Sequence, residues 1–202
     1  MNKQKSGLSV LIIVFLALLP FSPAKAESAE QLSELDQKAE TLAEQCAAEI
    51  VAQYDLLLNG GQLNVAQLFD TFYIPIPGTE PQKFHTQYDR LTDGVLRPIL
   101  DKYLEMDPHF VFVVAVDRNG YLPTHNSKYT QPLTADKDHN TKWNRTKRIF
   151  DDRTGLAAAR NTKPFLLQRY SRDTGETMTD LSVPITLQNR HWGALRIGYK
   201  ND

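Results

Sequence analysis

The chain has 202 residues, with 23 lysines and arginines against 24 aspartates and glutamates, and this near-balance (net −1) argues against a nucleic-acid partner. Its length suffices for one ordinary domain with a real core. A single cysteine, Cys46, excludes an internal disulfide.

The first 26 residues read as a leader rather than as fold. Lys3 and Lys5 precede an apolar run from Leu8 to Phe21 that is short for a membrane span, and Ala24-Lys25-Ala26 is a small-x-small cleavage pattern. A secretory signal peptide cut after Ala26 is expected, with an uncleaved anchor as the alternative. Without its three lysines the balance becomes 20 against 24, a net of about −4. No second apolar span follows in the sequence, so a soluble protein exported to the periplasm is expected.

Residues 27–62 are expected to be dominated by one long helix. From Ala29 to Asn59 there is no proline or glycine, and Leu32, Leu35, Ala39, Leu42, Cys46, Ile50, Tyr54 and Leu57 recur every three or four residues until Gly60-Gly61 ends the pattern. That stripe serves either the domain's own sheet or a homodimer seam, the latter because Leu35, Leu42 and Ile50 extend over a length that one small sheet does not obviously cover.

Residues 63–202 form the expected ligand-binding domain. A short helix near Val65–Phe69 precedes the extended, proline-rich "YIPIPGTEP", and a second helix is predicted from about His85 to Met106. Phe110–Val116, "FVFVVAV", is apolar at every position, as a strand covered on both faces requires. Asp117-Arg118-Asn119-Gly120 supplies a turn, and the next strand, interrupted by Pro123, belongs at an edge. After a crossover over Thr141–Asn161, three strands close the chain: Phe165–Tyr170, Thr177–Leu187 and His191–Tyr199. The order implies an α+β fold with a five-stranded antiparallel sheet backed by the long helix.

"VDRNGYLPTHN", "NRTKRIFDDRTGLAAARNT", "PFLLQRYSRDTGETMTDLSVPI" and "RHWGALRIGY" resemble the extracytoplasmic, PAS-like single Cache sensory domains of bacterial methyl-accepting chemotaxis proteins, over roughly Phe110 to Tyr199. In those receptors a second membrane span, a HAMP segment and a cytoplasmic coiled coil follow the domain, and this sequence has none of them. The resemblance implies a pocket for a small polar metabolite on the crossover side of the sheet, and a membrane receptor or kinase to which the bound form is presented. Haem, a ligand of some PAS-like domains, is the alternative cofactor; an interaction protein working through its long helix is the alternative function.

Under that resemblance Tyr121 and His125 stand near the rim of the pocket and Tyr170 on the strand beyond the crossover. Arg145, Arg148 and Arg160 on the crossover offer bidentate donors to a carboxylate or phosphate. Asp152 and Asp180 are the candidate partners of an amine. For each residue a structural role competes: a hydrogen-bonded histidine, a salt-bridged helix face, an outward strand carboxylate. The five histidines stand singly, without HExxH or CxxCH spacing, and no GxSxG, Walker or GxGxxG motif occurs, so neither an enzyme nor a metal site is expected.

Overall fold

The computed structural model describes residues 32–171 and 175–200. The leader and Arg172-Asp173-Thr174 lie outside the described residues.

Helix α1 (Glu34–Asn59) starts later than the sequence pattern suggests because Ser33 caps it. The Ser33 hydroxyl accepts from Asp36 N–H and the Asp36 carboxylate accepts from Ser33 N–H, a reciprocal box. A short α2 (Val65–Leu68) follows, then a small hairpin of β1 (Ile74–Ile76) and β2 (Lys83–His85). Pairing of His85 with Ile74 takes that histidine out of the second helix, so α3 runs only over Asp89–Leu104.

The apolar run becomes β3 (Phe110–Asp117). It leads through the Gly120 turn to a two-residue β4 (Tyr121–Leu122) and, after a 3-10 turn at Ser127–Tyr129, to α4 (Lys137–Trp143), β5 (Arg148–Ile149) and α5 (Arg153–Ala159). Strands β6 (Leu166–Ser171), β7 (Thr177–Leu187) and β8 (Arg190–Tyr199) end the described chain. The main sheet is antiparallel in the order β3-β8-β7-β6. The expected fifth strand is instead β4, which pairs with β5 in a separate ribbon; the next residue, Pro123, has no N–H to extend it. The fold is α+β, with a long N-terminal helix on a mainly antiparallel sheet.

Period-two alternation assigns β3 to two different neighbourhoods. Val113 and Ala115 join the core shared with α1 and α3, whereas Phe112, Val114 and Val116 face the crossover. Strands β7 and β8 divide likewise, sending Leu181, Val183, Ile185, Leu195 and Ile197 to the helix side. On that side Ile50, Tyr54 and Trp192 are essentially sealed from solvent, and each buried side chain of this kind contributes about 1.5–3 kcal/mol.

This packing shows the first of the two uses of the α1 stripe, on the domain's own sheet. Ile50 is fully buried in the chain's own core, and Leu35 and Leu42 pack half-buried against it. The outward face of α1 carries Gln37, Lys38, Thr41, Glu44 and Gln45. The residues proposed for a dimer seam are therefore covered within the chain, because the sheet strands, at up to 11 residues, are long enough to reach them.

Candidate functional site

The cavity-facing sides of β3, β6 and β8 need a cover, and the crossover supplies it. Two glycines allow the close approach. Gly120, at φ +81°, and Gly155 both abut the Phe150 carbonyl so tightly that a Cβ on either would fall about 2.2–2.3 Å from it. Phe150 N–H donates to Gly120 O (2.9 Å) and Lys147 N–H to Leu122 O (2.7 Å), which ties the crossover to the β3–β4 turn. Beneath it lies a cavity of about 420 Å³, within the range of small-molecule sites.

Its floor is apolar: Phe112, Val114, Val116, Leu122 and Ile149. The guanidinium groups converge from the crossover and from β8. Arg145 and Arg148 come from the crossover, and their guanidinium carbons lie 5.0 and 4.9 Å from the centre of the Phe150 ring. Both also donate to the Thr141 carbonyl at the end of α4, at 3.0 and 3.2 Å. Arg196 comes from β8.

Arg196 was not singled out by sequence reasoning, yet it is the most firmly built cationic group of the site. It is 5% exposed, and its Nε and Nη2 both donate to Asp180 Oδ2, at 3.0 and 2.5 Å. Burial opposes its charge, and the Asp180 carboxylate more than offsets that, holding the guanidinium above its ordinary value. Gly198 makes room for the arrangement. It pairs with both Phe112 and Asp180, and a Cβ there would strike the Phe112 ring at 2.1 Å. Among the described residues Nη1 of Arg196 has no protein partner, so this nitrogen is what the anchored guanidinium offers to the cavity. The signal was present in the sequence: in "HWGALRIGY" Ala194, Arg196 and Gly198 share one strand face, a charge set between two small residues.

The structure brings together five of the eight sequence-predicted residues as lining: His125, Arg145, Arg148, Asp152 and Tyr170. Asp180 stands behind the lining, and as Arg196's counter-ion it is not placed to receive an amine. Asp152 spends Oδ1 on the N-cap of α5, accepting from Thr154 and Gly155 N–H. Arg160 lies outside the cavity on the exposed end of α5, its Nε donating to Arg118 O at 3.4 Å. Tyr121 points to the other side of the sheet, because the residue after Gly120 falls in helix-face phase. It packs 5.2 Å from Tyr73 and donates to Phe84 O (2.8 Å).

His125 is 3% exposed, its Nδ1 accepts from Asn126 N–H (2.8 Å), and its ring is wedged between Phe112 and Tyr129. It is the one histidine among the described lining residues, and a ring packed in this way does not fit an axial ligand of haem. No cluster of three histidine, cysteine or acidic side chains suited to a metal occurs among the described residues.

No family model matches the chain, and no curated protein does. Among solved structures it is similar to an extracellular ligand binding receptor from Desulfohalobium retbaense, at 15% identity and a TM-score of 0.37 over 84% of this chain and 26% of that one. It is also similar to the ligand-binding domain of the Campylobacter jejuni chemoreceptor Tlp3 in complex with L-valine (12%, TM-score 0.38, 81% of this chain and 58% of that one). A further match is the sensory domain of the same chemoreceptor (12%, TM-score 0.36, 81% and 59%). The chain thus spans about a quarter of the first and less than three-fifths of the other two. No helix among the described residues is long and apolar enough to cross a membrane. These three are a ligand binding receptor and two ligand-binding or sensory domains of one chemoreceptor, all below 0.4 in TM-score.

Proposed function

We propose that the chain is an extracytoplasmic sensor module that captures a small anionic metabolite, a carboxylate or phosphate ester, beneath the crossover. The observation that carries this is Arg196: a buried guanidinium, fixed by a fully buried carboxylate, with one nitrogen left over on the wall of a cavity that also holds Arg145 and Arg148. Buried arginine suits planar anions because its donors are fixed before the ligand arrives. The role is one of binding: the lining offers forked donors over an apolar floor. Export through the leader, residence in the periplasm and presentation of the bound form to a membrane receptor or kinase belong to the same proposal, and the resemblance to chemoreceptor sensory domains supports them.

A thermal-shift screen at constant ionic strength tests the proposal, with acetate, malate, glutamate, phosphoserine and inorganic phosphate set against amines of similar size. A ligand at 100 times its dissociation constant stabilises by about 2.7 kcal/mol. Stabilisation by one or more of the anions is expected; stabilisation by amines alone would overturn the assignment.

A further inference from the structure

A second cavity, of about 380 Å³, opens beside the start of β3. It is separated from the first by the packed series Phe112, His125 and Tyr129, whose ring centres follow one another at 6.3 and 4.8 Å. Its wall carries three ammonium groups, those of Lys128, Lys142 and Lys200, together with Trp143 and a single carboxylate, Glu176. Glu176 pairs with Lys200 at 3.0 Å. Among the described residues no carboxylate lies within ion-pair distance of Lys128 or Lys142.

These two lysines are held over an aromatic pair. Tyr129 and Trp143 stack at 6.0 Å with 16° between their planes, the Lys128 ammonium lies 5.4 Å from the Tyr129 centroid, and the Lys142 ammonium lies 5.1 Å from that of Trp143. A cation placed over a ring gains roughly 0.5–1 kcal/mol at exposed sites, enough to bias a flexible stem toward one position. Two positioned ammonium groups with no carboxylate partner among the described residues, beside a third, form a field for negative charge in a concave surface.

We infer that this cavity is a second binding site, for a small multivalent anion such as a di- or tricarboxylate or a condensed phosphate, held by Lys128, Lys142 and Lys200. One ammonium is neutralised by Glu176, so a monovalent anion leaves positive charge over, whereas a multivalent one matches it. The site is independent of the arginine-lined cavity, and its test reads out separately.

The chain contains two tryptophans, and they report on different places. Trp143 lines the second cavity. Trp192 is 2% exposed on the helix side of the sheet, donating to Leu68 O. Tryptophan emission is therefore titrated with citrate and with pyrophosphate against acetate, ionic strength being kept constant with sodium chloride, in the wild type, Trp143→Phe, Lys128→Glu/Lys142→Glu and Arg196→Lys. A saturable change with citrate or pyrophosphate, absent in Trp143→Phe and weakened at least tenfold in the double lysine variant, is expected. In Arg196→Lys it should persist. No saturable change with either multivalent anion, an equal response to acetate, or a response lost in Arg196→Lys but kept in the lysine variant would overturn the inference.

Discussion

The two faces of the sheet are built from alternate residues of the same strands, and they solve opposite problems. On the helix face most hydroxyls of the large side chains are consumed internally, that of the buried Tyr54 being the exception. Tyr199 donates to Asp36 (2.5 Å), Tyr73 (2.7 Å) and Tyr88 donate to Asp117, and Tyr121 donates to Phe84 O and Asp89. Burial pushes these phenols up and raises Asp117 as well, because the ionised forms are poorly solvated there. On the crossover face the side chains stop short of closing the space and guanidinium groups border it. One face is thus finished as a core, and the other is left as a receptacle whose charges are fixed in advance.

The comparison is broken most severely at the buried Arg196–Asp180 ion pair of the receptacle. Asp180→Ala leaves Arg196 buried and unpaired, at a cost of about 3–5 kcal/mol, measured as the fall in stability by urea denaturation. Asp180→Asn, which keeps shape and one acceptor, should cost less. If both variants are as stable as the wild type, the pair is not the closed unit described.

On the helix face Ile50→Ala should cost about 2–5 kcal/mol through the cavity it leaves, without altering ligand affinity in the remaining folded protein. Leu35→Glu with Leu42→Glu should likewise lower stability, since both pack on the core within the chain. Sedimentation showing a dimer dissolved by these changes with stability intact would reverse the assignment of that stripe.

A smaller effect separates the arginines. Arg148→Ala should weaken an anionic ligand by roughly 30-fold, near 2 kcal/mol. Arg160→Ala, outside the cavity, should leave calorimetric affinity unchanged.

The smallest effect is a pH slope. Behind the crossover the amine of Lys83 donates to Thr146 O, and burial, then the charges of Arg148 and Lys147, push it down from 10.5 to about 7. The unfolded chain therefore binds this proton more tightly, and the stability linked to Lys83 is complete above about pH 10.5 and lost as pH falls through 7. The stability of the wild type relative to Lys83→Met should rise between pH 7 and 9. A flat difference would mean that the amine is solvated.

How much of this was legible in the sequence follows the same division between faces. The doubly apolar β3, the terminal strands and the crossover could be read because their patterns are local. The fifth strand was misjudged because the strand carrying Pro123 was taken as an edge of the main sheet, whereas Pro123 follows a β4 of only two residues that pairs with β5. Arg145 and Arg148 could be named because a charge cluster between apolar residues is conspicuous. Tyr121 and Arg160 were placed at the pocket because proximity in sequence does not reveal strand phase or the far side of a short helix. Arg196 was missed for a different reason. Its importance arises from Asp180, 16 residues away, and from the space left by Gly198, relations that exist only once β7 and β8 are in register.

The central claim, that the crossover cavity holds an anion on a guanidinium fixed in advance, is tested most directly by Arg196→Lys. This variant keeps the charge beside Asp180 and removes the forked donors. Calorimetric titration with the anion that gives the largest thermal shift should show affinity reduced at least tenfold in Arg196→Lys and unchanged in Arg160→Ala. Equal affinity in the wild type and Arg196→Lys would contradict the account.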